Sequence, residues 1–446
     1  MSSSRPCNIL YLHSHDTGRL IQPLGHAVAT PNLQNLAEEG MLFRQAHCAG
    51  PTCSPSRAAL LTGRAPHSNG MMGLAHLGFQ LNDYDHHLVH TLKQNGYQTV
   101  IAGNGSQHVA PETEMIGYDE FIDVDGPDKA EQTARYLQNA PSEPFFLNVG
   151  FGDTHRQFEE PSCAGPDTDP RFARPPGPIA DTPRTRRDTA GFNTSCRTLD
   201  DHMGTVLDGL EEAGLAENTL VICTTDHGPA FPRMKCNTLE GGTGVFLILR
   251  GPRSDDYPEA GAFSGGRVSD SLVSHVDVFP TLCELLGIER PDRLQGTSLM
   301  PLVREEAEEI NEAVFSEVTY HVCYEPQRSV RTARYRYVRR FGERKRPPIP
   351  NCDDGPSKEV WLEAGWAETE LPEEQLYDLV FDPNEAANLA DDPAHSEVLE
   401  DLRGRLKQWM EETADPLLEG PVAAPSGARL IDPDSRSNRE GFYEVP

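Results

Sequence analysis

Four apolar runs in this 446-residue chain stop on acidic or imidazole side chains. Residues 8–12 lead into His13-Ser14-His15-Asp16-Thr17-Gly18, and residues 97–102 into a glycine-rich stretch ending at His108. Residues 144–151 precede Asp153-Thr154-His155, and residues 219–224 precede Thr225-Asp226-His227-Gly228. Short continuous apolar runs bounded by turn residues read as buried strands of a parallel sheet. Helical patterns at 32–40, 88–95, 130–138, 186–213 and 276–286 alternate with them, and 41–43 and 245–249 add two strands. This alternation predicts an α/β fold: a mostly parallel sheet flanked by helices. Ligands bind such sheets beyond the carboxyl ends of the strands. The four endings therefore belong to one rim.

Residues 53–63, Cys-Ser-Pro-Ser-Arg-Ala-Ala-Leu-Leu-Thr-Gly, read as a helix start with chemistry built in. Pro55 is tolerated in the first turn, Ala58 to Leu61 propagate the helix, and Gly63 ends it. Cys53 lies where free N–H groups and the helix dipole favour an anion, and Arg57 projects from the same face. Asp16 and Asp226, with His15 and His227 beside them, suit one divalent cation. His108 and His155 are candidates for contacting a substrate or protonating a leaving group. Lys235, one of only six lysines, follows the Asp226 loop closely enough to join them.

The composition narrows the partners. Aspartate and glutamate outnumber lysine and arginine by 69 to 39, a formal charge of −30. That balance argues against a nucleic acid or an anionic membrane. No apolar run is long enough to span a bilayer. The start, Met-Ser-Ser-Ser-Arg-Pro, lacks a signal-peptide layout, so a soluble cytoplasmic protein is expected unless a leader was removed. Ten cysteines without a CxxC pair suit reduced thiols.

Near residue 300 the texture changes. Residues 1–305 are expected to form the catalytic domain, and 306–446 a smaller C-terminal α+β domain with a surface tail. In the latter, 305–313 reads as an acidic helix, 314–318, 329–332 and 335–340 as antiparallel strands, and 396–413 as a helix. The Pro-, Asp- and Arg-rich stretch 161–183 reads as an irregular loop over the site. From Pro416 the tail is expected to lie across the surface.

The stretch Cys53-x-Pro55-Ser56-Arg57 with Leu61-Thr62-Gly63-Arg64 resembles the signature of the formylglycine-dependent (type I) sulfatase family. Further stretches resemble its heparan N-sulfatase branch and bacterial relatives. They include Phe43-Arg44-Gln45-Ala46, His67-x-Asn69-Gly70-Met71, His108-Val109-x-Pro111-Glu112, His155-Arg156 and Leu376-Tyr377-Asp378. The resemblance implies an alkaline-phosphatase-like fold, a formylglycine made from Cys53 by a formylglycine-generating enzyme, and a divalent ion, usually calcium. It implies metal ligation by Asp16, Asp226 and His227; His15 and Cys53, beside them, complete the candidate metal set. It gives the sulfate-facing roles to Arg57, His108, His155 and Lys235. The implied reaction is hydrolysis of a sulfate ester or sulfamate on a saccharide.

Three departures stand out. His15-Asp16 replaces a usual pair of aspartates, Asp226-His227 a frequent Asp-Asn, and Ser106 a common lysine. Imidazole suits manganese or zinc better than calcium. Arg184, Arg186 and Arg187 are candidates to replace the missing positive charge. His13, His26, His47, His67 and His76 are candidates for the entrance. A phosphonate monoester or phosphodiester hydrolase of the same fold is the alternative chemistry, a binding protein without activity the third reading, and the oligomeric state, a homo-oligomer included, stays open.

Overall fold

A computed structural model describes residues 6–103, 108–124 and 126–446. Ser106 lies outside the described residues. Among those described, the largest sheet has eight strands, in the order Glu120–Ile122, Gln98–Ala102, Phe145–Gly150, Asn8–Ser14, Thr219–Thr225, Leu247–Arg250, Met41–Phe43, Arg267–Ser269. Leu247–Arg250 runs antiparallel to both neighbours; the other pairs are parallel. Every residue of Asn8–Ser14 and Thr219–Thr225 is buried, which is why these strands read as unbroken apolar runs. Two cores cover the faces. One is built around Ile9, Phe43, Phe146 and Ile222, the other around Leu10, Leu147, Val221 and the Leu199, Met203 and Val206 side of the long helix Pro183–Glu212. This is the expected α/β architecture, of the alkaline-phosphatase type.

The C-terminal lobe is an antiparallel meander of Ala313–Tyr320, Tyr324–Thr332, Tyr335–Arg340 and Glu374–Asp378. The helix Ser396–Glu412 lays Leu399, Leu402, Leu406 and Met410, spaced three or four apart, on Val330, Tyr337 and Leu376. Two expectations need correcting here. Residues 305–313 form no helix: the helix Met300–Val303 stops, Glu305 adopts φ 60°, and Ala313 already begins a strand. Five of its nine residues are glutamates and Ile310 is its one large apolar side chain, so it offers no apolar stripe to bury. The tail is not merely superficial either. It forms a hairpin of Arg429–Ile431 and Phe442–Glu444 and buries Ala428, Leu430 and Ile431.

A buried ionic cluster ties the lobe down. Arg328, fully buried, gives Nε to Asp415 at 2.5 Å, reaches Glu317 Oε2 with Nη2 at 2.9 Å and donates Nη1 to the Val318 carbonyl at 3.0 Å. His67, from the catalytic side, donates Nδ1 to Glu317 at 2.9 Å. Arg328→Met should leave two buried carboxylates without their cation and cost about 3–5 kcal/mol, read from urea unfolding. A loss below about 1 kcal/mol would mean that the cluster contributes no more than a surface pair.

Candidate active site

Three parallel strands, Asn8–Ser14, Phe145–Gly150 and Thr219–Thr225, lie side by side, so their carboxyl ends open on the same rim. There the loops touch: Asp16 N–H donates to Asp226 Oδ1 at 2.8 Å, and Gly18 N–H to the His227 carbonyl at 2.9 Å. Gly18 is needed in that contact. Its φ is +62°, and a Cβ there would meet Pro229 Cδ at 2.9 Å. Asp16 and His108 hold φ of 57° and 49°, an uncommon region for side-chain-bearing residues that recurs at functional sites.

The helix Cys53–Thr62 points its first turn at this rim. Thr52 precedes it in extended conformation and Gly63 closes it at φ 64°. Ligand atoms of His15, Asp16, Cys53 and Asp226 lie within 4.8 Å of one another. Arg57, one turn along, donates Nη2 to Asp226 Oδ2 at 3.1 Å and Nη1 to His13 Nδ1 at 2.7 Å. Its Nε is buried without a partner, a donor left over for an anion. Lys235 is buried between two carboxylates, 2.8 Å from Asp16 Oδ2 and 3.0 Å from Asp353 Oδ2.

Electrostatics fix the charge states. Burial works against ionising Asp16, but Lys235 and the imidazoles of His155, His15 and His227 outweigh it and hold the carboxyl well below its usual range. Asp226 is held down in the same way by His227, His15 and Arg57, and Asp353 by Lys235. Burial pushes His15 down to about 4, and with Arg57 pushes His108 well below its ordinary value. Burial also pushes the Cys53 thiol up, so the unmodified side chain is a thiol and a weak nucleophile.

The donor set fits a cation. His227 donates Nδ1–H to the Gly228 carbonyl at 2.9 Å, which leaves the Nε2 lone pair buried and unpartnered. That atom stands 3.4 Å from Asp16 Oδ1 and 3.7 Å from Asp226 Oδ2. His15 instead spends Nδ1 on Asp16 Oδ1 at 2.8 Å. Three carboxylates (Asp16, Asp226, Asp353) face two cationic side chains (Arg57, Lys235). One divalent ion would turn that excess of negative charge into an excess of positive charge.

His155 Nδ1 donates to the Arg156 carbonyl at 2.5 Å, and its Nε2 lies 4.0 Å from Asp16 Oδ2 on a ring that is 40% exposed. The His15 ring meets those of His155 and His108 edge-on at 4.7 and 5.2 Å. The expected site residues thus come together on one rim.

Several other expectations do not hold. His13 sits behind Arg57 and bonds Asn148 at 2.9 Å; His47 bonds Arg19; His26 bonds Asn193; His67 is in the Arg328 cluster. His76 is the exception in that set: it is exposed and within electrostatic reach of Lys235 and His155. Arg184, Arg186 and Arg187 pair with Glu363, Asp181 and Glu160 outside the site, because each has a carboxylate closer to hand. Polar bonds of the 161–183 stretch run to Ala29, Asn193, Thr194 and Arg197 rather than to the catalytic cluster. Asp353 and the buried His321, both from the C-terminal lobe, were missed. Asp353 follows the basic, Pro-rich stretch 344–350 and carries no local signal of its own. Val322 and Ile431 likewise complete the apolar wall around Cys53.

The sulfatase family model matches residues 8–288. The chain belongs to the sulfatase family. A second model, the C-terminal region of N-sulphoglucosamine sulphohydrolase, matches residues 249–352. Human N-sulphoglucosamine sulphohydrolase is 32% identical to this sulfatase over 95% of its chain and 93% of the human protein. An ulvan-active sulfatase of Formosa agariphila is 30% identical over 94% and 83%. Among solved structures, a 2-O glycosaminoglycan sulfatase superposes with a TM-score of 0.68 at 21% identity, covering 94% of this chain and 95% of that one. A protein solved with its substrate D-glucosamine-2-N,6-O-disulfate superposes with the same TM-score at 17% identity, covering 92% and 99%. These structural likenesses concern the fold. The sulfatase is a hydrolase of sulfate esters or sulfamates.

Proposed function

We propose that this sulfatase hydrolyses a sulfate ester or sulfamate on a saccharide, with the reacting group placed between Cys53 and the Arg57–Lys235 side of the rim. The observation that carries the reading is Cys53 at the helix start, within 4.8 Å of the carboxylate pair and of His15. Converted to formylglycine by a generating enzyme, it would supply a hydrated aldehyde oxygen as nucleophile, which the protonated thiol cannot. Asp16, Asp226 and the free Nε2 of His227 would hold a divalent cation, and Cys53 in its modified form would face it. The ion would neutralise charge on the sulfate group. Calcium is the family expectation; the imidazole favours manganese or zinc.

The remaining roles follow from donors and exposure. Arg57 Nε and the free hydrogen of Lys235 donate to sulfate oxygens. His108, held neutral, orients the group through a hydrogen bond. His155, the most exposed of the rim imidazoles, donates a proton from Nε2 to the leaving oxygen or nitrogen as its bond to sulfur breaks. The names of the human relative and of the glucosamine-disulfate complex support a saccharide.

The test is kcat/KM for a panel of N- and O-sulfated saccharides, nitrophenyl sulfate and nitrophenyl phosphonate esters. Sulfated saccharides should lead, with the advantage over the aryl ester appearing in kcat as well as in KM, since remote sugar contacts act in the transition state. Equal values for saccharide and aryl ester would defeat the sugar assignment. A phosphonate preference would transfer it to the alternative hydrolase.

A further inference from the structure

Behind Arg57 a line of buried polar side chains runs back into the sheet. The face that carries Ile9, Tyr11 and Phe146 belongs to an apolar core. His13 and Asn148 lie on that same face, two residues further along the two central strands, and are 1% and 0% exposed. His13 stands opposite Gly150, which has no side chain, and its ring reaches Asn148 instead. Tyr118, half-buried, stacks on Phe146 with ring planes 12° apart and meets the Asn148 amide.

The direction of each hydrogen bond in this line is forced. A guanidinium only donates, so His13 Nδ1 accepts from Arg57 Nη1 at 2.7 Å. The imidazole then carries its proton on Nε2 and donates it to Asn148 Oδ1 at 2.9 Å. That turns the amide NH2 toward Tyr118, and Nδ2 donates to the phenol oxygen at 2.8 Å. The other arm of Arg57 gives Nη2 to Asp226 Oδ2 at 3.1 Å and to the Ser14 carbonyl at 3.3 Å. Both Nη groups are fixed, and Nε is left over. Stability does not call for such a line, because apolar side chains of matching shape can replace a buried hydrogen-bonded pair at little cost. Without His13, one arm of the guanidinium would lose its partner and the group could turn about the other. We propose that His13, Asn148 and Tyr118 are positioning residues for Arg57: they set the His13 tautomer and hold the guanidinium with Nε free for the reacting sulfate group. The inference rests on the proposed sulfate contact of Arg57 and deepens it. A donor fixed before reaction stabilises charge developing in the transition state without reorganising, so the line acts on kcat more than on KM.

The experiment measures kcat, KM and the melting temperature with the sulfated substrate that the wild type turns over fastest. His13→Leu and Asn148→Leu should each lower kcat about 10²-fold, with KM changed far less. Tyr118→Phe keeps the ring stack, removes only the hydroxyl, and should lower kcat about fivefold. His13→Asn puts an acceptor oxygen where Nδ1 stands and should recover most of the loss seen in His13→Leu. Because the residues act in series, the double variant His13→Leu/Asn148→Leu should be within about twofold of the slower single variant. A folded His13→Leu or Tyr118→Phe with wild-type kcat, multiplying losses in the double variant, or no recovery in His13→Asn would overturn the inference and leave the sulfatase reading standing. If the leucine variants do not fold, Tyr118→Phe carries the test alone, and an unchanged kcat there overturns the proposal. An Arg57→Ala variant as fast as the wild type would overturn the sulfate contact of Arg57 and the inference with it.

Discussion

Cys53→Ala is expected to lower turnover by a factor on the order of 10⁴ or more while leaving the protein folded. The side chain is small, and Leu74, Leu77, Val322 and Ile431 around it stay packed, so the stability lost should be about 1 kcal/mol. What disappears is the side chain whose modified form is proposed to supply the nucleophile at the head of the helix. Binding of a sulfated ligand should persist, because Arg57 is held by Asp226 and His13, and Lys235 by Asp16 and Asp353. Circular dichroism and ligand binding would confirm an intact site, and mass spectrometry of the wild-type peptide should find the Cys53 sulfur replaced by an aldehyde oxygen. Near wild-type turnover in the folded variant would defeat covalent catalysis at this position.

Asp226→Asn is expected to abolish cation binding and to lower kcat/KM by on the order of 10³ or more. Asp226 serves three partners. Oδ1 accepts from the backbone N–H groups of Asp16 and His227, and Oδ2 accepts from Arg57. Asparagine can keep the Oδ1 bonds that fasten the two loops, but it removes the charge that a cation and Arg57 require. Elemental analysis should find about one divalent ion per wild-type chain and none in the variant. Because a ligand bound only to the native state stabilises it, a chelator should lower the melting temperature of the wild type and leave that of Asp226→Asn unchanged. A fully active wild type without any divalent ion would sink the assignment of these residues.

Much of this arrangement is written locally in the chain. The apolar runs before Asp16, His155 and Asp226 are readable because a central parallel strand is buried on both faces and leaves no room for polar residues. Strand direction then carries their endings to one rim. The helix at Cys53 announces itself through Pro55, the alanines and Gly63, all of which act within two turns.

Other features depend on partners distant in sequence, and no local pattern carries them. Asp353 has no local signal; only the fold brings it to Lys235, 118 positions earlier, at 3.0 Å. The arginines at 184, 186 and 187 look free in the sequence and are claimed by carboxylates that tertiary packing supplies. The tail is polar enough to suggest a surface strap, yet Ile431 joins the wall around Cys53, its N–H donating to the Val322 carbonyl at 2.8 Å. The sequence by itself determined the sheet, the helix that begins at Cys53 and the carboxylates at the strand ends, since periodicity and turn chemistry are short-range. Only the tertiary structure decided which cation each carboxylate meets and what closes the site. Those outcomes depend on contacts between segments far apart in the chain, whose geometry is set by packing.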